Sequence, residues 1–227
     1  MSLSASLITW FKDGRPLRSA EMISAVKATP ALAAEVDQRT GNSPLHYACC
    51  NAAPEPLVQA LLTANPSAAR AKDGDGNLPI IGAVANGSSA AVIQALLATH
   101  PDSIRARHSN GVHTLLHTAA CNGASAEVVQ VLLAAWPAAA AERDPDGNAP
   151  LHFAAGCGAS PAVVTLLLDA CPEAAGWRGQ MQRFPLSLCL LCEAPPASVA
   201  AIRDAYPDAQ RTEELVADYL NHGMGVS

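Results

Sequence analysis

The chain has 227 residues, half of them apolar and 15% charged, with a formal net charge of −6. That length and apolar content suffice to bury a core as one domain, so neither a disordered chain nor a fold that depends on disulfides is required. The 14 Lys and Arg are scattered without a basic run, which argues against nucleic acid as a partner, and the longest apolar stretch, 128–141, is interrupted by Gln130 and Pro137, short of the roughly 20 residues of a membrane span.

The N-terminal stretch MSLSASLITWFKDG has no positive leader region, and its apolar part stops at Lys12 and Asp13, so it is a poor secretory signal. Leu3 to Phe11 predicts a first helix and residues 19–37 a second, together an incomplete N-terminal capping half-repeat over 1–37. Two rulers then run along the chain. Gly41, Gly76, Gly111 and Gly147 lie 35, 35 and 36 residues apart, and Pro66, Pro101, Pro137, Pro172 and Pro207 lie 35, 36, 35 and 35 apart. A fixed period of this length marks stacked units, each burying its apolar face only against its neighbours.

Each unit predicts two short helices. The first opens after the glycine, as at Pro150, whose missing N–H leaves nothing unsatisfied at a first helical position. It carries one column of small residues, Ala48, Ala83, Ala119, Ala154 and Cys189, which predicts close packing between units. It ends at Asn51, Asn86, Asn122, Cys157 and Cys192, where the chain is expected to turn left-handed. The second helix carries apolar pairs such as Leu57, Val58, Leu61 and Leu62, repeated at 92–97, 128–133 and 163–168, and stops at the proline column. Polar stretches such as RAKDGDG and ERDPDG then predict exposed turn tips. The extra residue between Gly111 and Gly147 precedes Leu-Leu-His in GVHTLLH, so it lengthens a loop. Residues 193–227 are expected to hold the last outer helix and, in TEELVADYLNHG, a capping helix.

The pattern Asp-x-x-Gly, Pro-Leu-His-x-Ala, Asn-Gly, Val-Val-x-x-Leu-Leu is plainest in DPDGNAPLHFAAG at 144–156 and recurs in QRTGNSPLHYACCN, DGDGNLPIIGAVAN and HSNGVHTLLHTAACN. It resembles ankyrin repeats over 38–192. The resemblance implies an all-α, ankyrin-type helical solenoid of about four to five stacked helix-turn-helix repeats with exposed turns and terminal caps. It also implies a structural role for His46, His117 and His152, whose rings would bond backbone near their own turn and tie it to the adjacent unit. Departures are units of mostly 35 residues against the usual 33 or so, Leu115 for the proline, Ile81 in the histidine column, and a fifth unit with Gln182 for glycine and Ser187 for histidine.

A catalytic base needs an orienting carboxylate and a nucleophile at one site, yet these histidines recur in separate units, so no enzyme is expected. The aspartates Asp73, Asp75, Asp144 and Asp146 read as turn formers. His46 with Cys50, His117 with Cys121, and Cys189 with Cys192 have chelating spacings, but each pair is half a tetrahedral site, and Cys189 falls in the buried column. No metal or cofactor is expected. A thiol redox or metal-responsive protein using Cys189 and Cys192 is the alternative, and a structural subunit of a large assembly is another. Seven cysteines, an odd number within apolar stretches, suit a reducing intracellular compartment, cytoplasmic or nuclear.

The resemblance implies a concave face of turn tips and inner-helix edges that binds other proteins. The positions that vary there are the candidate contacts: Lys72, Asp75 and Asn77; Arg107, Asn110 and Val112; Arg143, Asp146 and Asn148; Trp177, Arg178, Met181 and Arg183. Trp177 stands where Ala71, Ala106 and Glu142 stand elsewhere, and Trp and Arg are enriched in binding hot spots, although an indole can equally fold onto the irregular fifth unit. The expected function is a rigid, monomeric interaction module, an adaptor or scaffold, for a protein partner.

Overall fold

A computed structural model describes residues 6–12, 18–108 and 111–206. Among the described residues the regular structure is helical: α1 Leu7–Lys12, α2 Ser19–Ala28, α3 Pro44–Cys50, α4 Glu55–Ala64, α5 Pro79–Ala85, α6 Ala90–Thr99, α7 Leu115–Cys121, α8 Ala126–Ala135, α9 Pro150–Gly156, α10 Pro161–Ala170, α11 Pro185–Leu191 and α12 Pro196–Ala205. The predicted C-terminal capping helix and Leu3 lie outside the described residues, as does Asn110.

The lengths repeat without drift. From α3 onward every first helix has seven residues and every second helix ten. The extra residue before Leu115 therefore sits in a loop, as its position implies. Each proline of the column not only ends a helix but opens a five-residue 3-10 turn: Pro66–Arg70, Pro101–Arg105, Pro137–Ala141 and Pro172–Gly176. The same turn occurs at Pro30–Ala34. From the sequence, these prolines are expected only to stop the helices before them. Proline also suits a first helical position, and the alanine pairs that follow are buried: Ala68, Ala69, Ala139, Ala140, Ala174 and Ala175.

The chain divides into two compact units, Met1–Asn122 and Gly123–Ser227. In the first, α1, α3, α5 and α7 pack in sequence, and α2, α4 and α6 form a second row. In the second, α9 packs on α11, while α10 packs on both α8 and α12. The small-residue column is the seam: Ala48, Ala83, Ala119 and Cys189 are fully buried and Ala154 almost so. The second-helix pairs are buried except Leu97 and Leu133, which are half-buried at the edge of their face.

Helix ends follow local chemistry. Ser89, Ser125 and Ser160 accept from the backbone N–H of Val92, Val128 and Val163 at 3.4–3.5 Å, satisfying donors that the first helical turn leaves open. At the end of the first helices the left-handed residue is not the Asn column, as expected, but the next one: Ala52, Gly87, Gly123, Gly158 and Glu193. The asparagines stay at negative φ and donate Nδ2–H to the carbonyl four residues back, as Asn51 does to Tyr47 at 2.7 Å.

A polar knot ties α1 to the segment before α3 and to α3 itself. Lys12 pairs with buried Asp37, which also accepts from the Tyr47 hydroxyl, and Phe11 stacks on the Tyr47 ring at 5.9 Å. The Lys12 ammonium, then the Tyr47 hydroxyl, hold the Asp37 carboxyl well below the usual carboxylate range.

Candidate functional site

The turns are built by aspartate. Asp73 Oδ1 accepts from the backbone N–H of Asp75 at 3.0 Å and of Asn77 at 2.8 Å. Asp144 Oδ1 accepts from Asn148 N–H at 2.7 Å, and its Oδ2 from Asn148 Nδ2 at 3.0 Å. Such side-chain bonds to backbone N–H groups mimic a backbone turn. The ruler glycines close each turn in the left-handed region, at φ +69, +85, +70 and +83° for Gly41, Gly76, Gly111 and Gly147.

The histidines clamp successive turns. His46 Nδ1 accepts from Ser43 N–H at 3.2 Å, and His152 Nδ1 from Ala149 N–H at 3.1 Å. A ring nitrogen facing an N–H must be the unprotonated one, so Nε2 carries the hydrogen. It donates to the next turn: His46 Nε2 to Asn77 O and His152 Nε2 to Trp177 O, both at 3.2 Å. His117 makes the same bond at its own N-cap, accepting from Thr114 N–H at 3.4 Å. Burial lowers His46 from its ordinary value and His152 to about 4, which keeps the rings neutral.

This direction decides which turn Ser187 affects. Because each histidine reaches forward, Ser187 in the histidine column leaves no gap in its own turn: His152 still supplies the tie. The turn is held from within by further contacts. Asn148 Oδ1 accepts from Gln180 N–H at 2.9 Å, and Arg143 Nη2 donates to Arg178 O at 2.7 Å. The Arg143 guanidinium lies 5.3 Å from the centre of the Trp177 ring, and that of Arg178 4.5 Å from the centre of the Phe184 ring.

The expected contacts therefore separate by environment. Lys72, Asp75, Arg143, Asp146, Arg178 and Met181 are exposed; Asn77, Arg107, Val112, Trp177 and Arg183 are half-buried. Asn148, expected at an exposed tip, is only 9% exposed and spends its side chain on Asp144 and Gln180. Its own turn and the next close over it, so it is scaffold. Arg107 donates from Nη1 to Val112 O at 2.9 Å.

Two features escaped the sequence reading. Gly179 takes the place of the turn-building aspartates because a side chain there would begin 2.1 Å from Asn148 Oδ1. Met181 and Gln182 are consecutive left-handed residues with side chains, at φ +55 and +59°, and Met181 is 75% exposed. Gln182 in the glycine column was the visible signal for this turn.

Cys189 is fully buried, and burial pushes its thiol up to about 11, whereas metal binding and disulfide exchange require the thiolate. Among the described residues no three His, Cys, Asp or Glu side chains gather as metal ligands. No described helix is long and apolar enough to cross a membrane.

Comparison with known proteins agrees with this architecture. An ankyrin repeat model matches residues 40–71, and a model of three ankyrin repeats matches 80–175, together more than half of the chain. No curated protein matches the sequence. The fold is similar to that of the ankyrin repeat domain of human ASB11, with a TM-score of 0.65 and 22% identity over 83% of this chain and 81% of that one. Aspartate-built turns clamped by forward-reaching histidines, paired helices of constant length and the two matching models place this chain in the ankyrin repeat family.

Proposed function

We propose that the chain is a non-enzymatic adaptor or scaffold whose protein partner docks on the turn tips, centred on the fifth turn. Ankyrin repeats are protein-interaction modules, and the repeat is a non-catalytic fold. One observation favours the fifth turn over the others. Met181 presents a largely exposed apolar side chain from a turn in which two non-glycine residues are held left-handed. Backbone conformations of this kind cost of order 1–3 kcal/mol each and cluster at ligand clamps. Around Met181, Arg178 offers a guanidinium and Trp177 apolar area, the residue types of binding hot spots. The turn is ordered without a partner, so little of the binding energy goes into arranging it.

The same reading takes the chain as an intracellular monomer, cytoplasmic or nuclear, with 1–37 as N-terminal half-repeat, 38–192 as repeats and 193–227 as last outer helix and cap. It includes no nucleic acid, membrane or cofactor.

The test is affinity capture from native extract followed by binding measurements on variants. Met181→Gly removes the apolar anchor and relieves the backbone at one stroke. It should raise unfolding stability by about 1 kcal/mol and weaken the captured partner's binding at least about tenfold. Trp177→Ala with Arg183→Ala should weaken binding as well, while Asp75→Ala should not. Undiminished affinity in Met181→Gly and in the double variant, or a larger loss in Asp75→Ala, moves the contact off the fifth turn.

A further inference from the structure

At the start of α5, Ile81 stands where His46 and His152 stand in their repeats. Those histidines bridge to a carbonyl of the following turn; isoleucine has no hydrogen to donate. Next to Ile81, between the second turn and the segment leading to the third, there is a cleft of about 390 Å³. Lys72, Arg105 and Arg107 line it, with Leu78 and Ile81 as apolar wall and Asp102 as the one carboxylate in the lining. Arg107 Nη1 donates to Val112 O at 2.9 Å within its own turn, as Arg143 Nε does to Gly147 O at 2.8 Å.

We propose that this cleft seats an acidic side chain of a partner protein, with an aliphatic neighbour of that side chain against Leu78 and Ile81. The proposal rests on the reading of the chain as an interaction module and adds the chemistry of one subsite in the first unit. Three cations and one anion meet at a concave spot on a chain whose net charge is −6, so a carboxylate is drawn to this spot rather than to the surface at large. Guanidinium and ammonium groups both make charge-assisted hydrogen bonds to a carboxylate. Part of the lining is apolar, which a bare inorganic anion would leave uncovered and an acidic-aliphatic peptide covers. Ile81 puts an aliphatic side chain on the cleft wall where His46 and His152 have an imidazole in their repeats.

The full chain is titrated with a fluorescein-labelled peptide of repeating Gly-Glu-Leu-Glu, with the Gly-Gln-Leu-Gln peptide and inorganic phosphate as controls. Binding is followed by fluorescence anisotropy and by backbone-amide NMR. The Glu peptide should bind, lose affinity as salt rises, and shift the amides of Ile81, Ala106 and Arg107; the Gln peptide should not bind. Lys72→Glu with Arg105→Glu should lower the affinity at least about tenfold with helicity unchanged. Ile81→His, which exchanges the aliphatic wall for a polar ring, should lower it as well. Equal binding of the Gln peptide, shifts confined to other turns, or full affinity in either variant overturns the cleft, as does complete displacement by equimolar phosphate, which would mark a simple anion site. Each of these leaves the module reading standing, since that reading falls on the partner capture and the Met181→Gly comparison.

Discussion

His152 closes two turns at once, and it can do so only while neutral. Its Nδ1 must accept from Ala149 N–H and its Nε2 must donate to Trp177 O. Burial sets its pKa at about 4, against 6.5 in an unfolded chain, and lowers His46 in the same direction. Between those two values the unfolded chain binds protons that the folded ring refuses. Stability is therefore fully present above pH 6.5 and falls as the pH drops toward 4. Urea unfolding at stepped pH should show this slope. His152→Gln should cost about 1–3 kcal/mol at neutral pH, through buried backbone groups left without partners, and should flatten the slope. An unchanged slope would place the proton uptake on other groups.

Among the elements, α5 is the clearest test of close stacking, because it lies between α3 and α7 and its Ala83 is fully buried. Ala83→Leu inserts a branched side chain where two helices leave room for a methyl group, and should cost about 1–3 kcal/mol. The denaturant midpoint measures it; an unmoved midpoint would mean that the small-residue column is not the seam. Helices of this kind are legible in a sequence because their period is local: Leu57, Val58, Leu61 and Leu62 mark a buried face whatever lies around them. The 3-10 turns were harder to see, since the rule that a residue before proline leaves the helix says nothing of what the proline begins. Pro30 and the alanine pairs after Pro66, Pro137 and Pro172 carried the signal. Partner contacts were least legible. Asn148 has the composition of an exposed tip, and only the arrival of Gln180 from the following repeat buries it. The direction in which the histidines reach is likewise a tertiary fact: that the fifth turn is tied by His152, and not by the residue at 187, is visible only in the fold.

For the molecule as a whole, cohesion comes from apolar seams and polar turn clamps, with no described cluster of metal ligands to share the task. Folding should accordingly be indifferent to chelators. Elemental analysis should find no stoichiometric metal, and helicity should be the same with and without EDTA. One zinc per chain, lost together with helicity, would contradict this, because in metal-dependent domains binding energy is folding energy.

The constancy of seven-residue and ten-residue helices also limits how a gene for this chain can change length. Losing one residue inside a helix would rotate everything beyond it by about 100° and turn the seam away from its neighbour. Duplicating or excising a whole repeat would instead present each junction with the same columns it had before. Single-residue insertions and deletions are tolerable only in the turns, and the one residue by which the third repeat exceeds its neighbours lies in such a turn, ahead of Leu115.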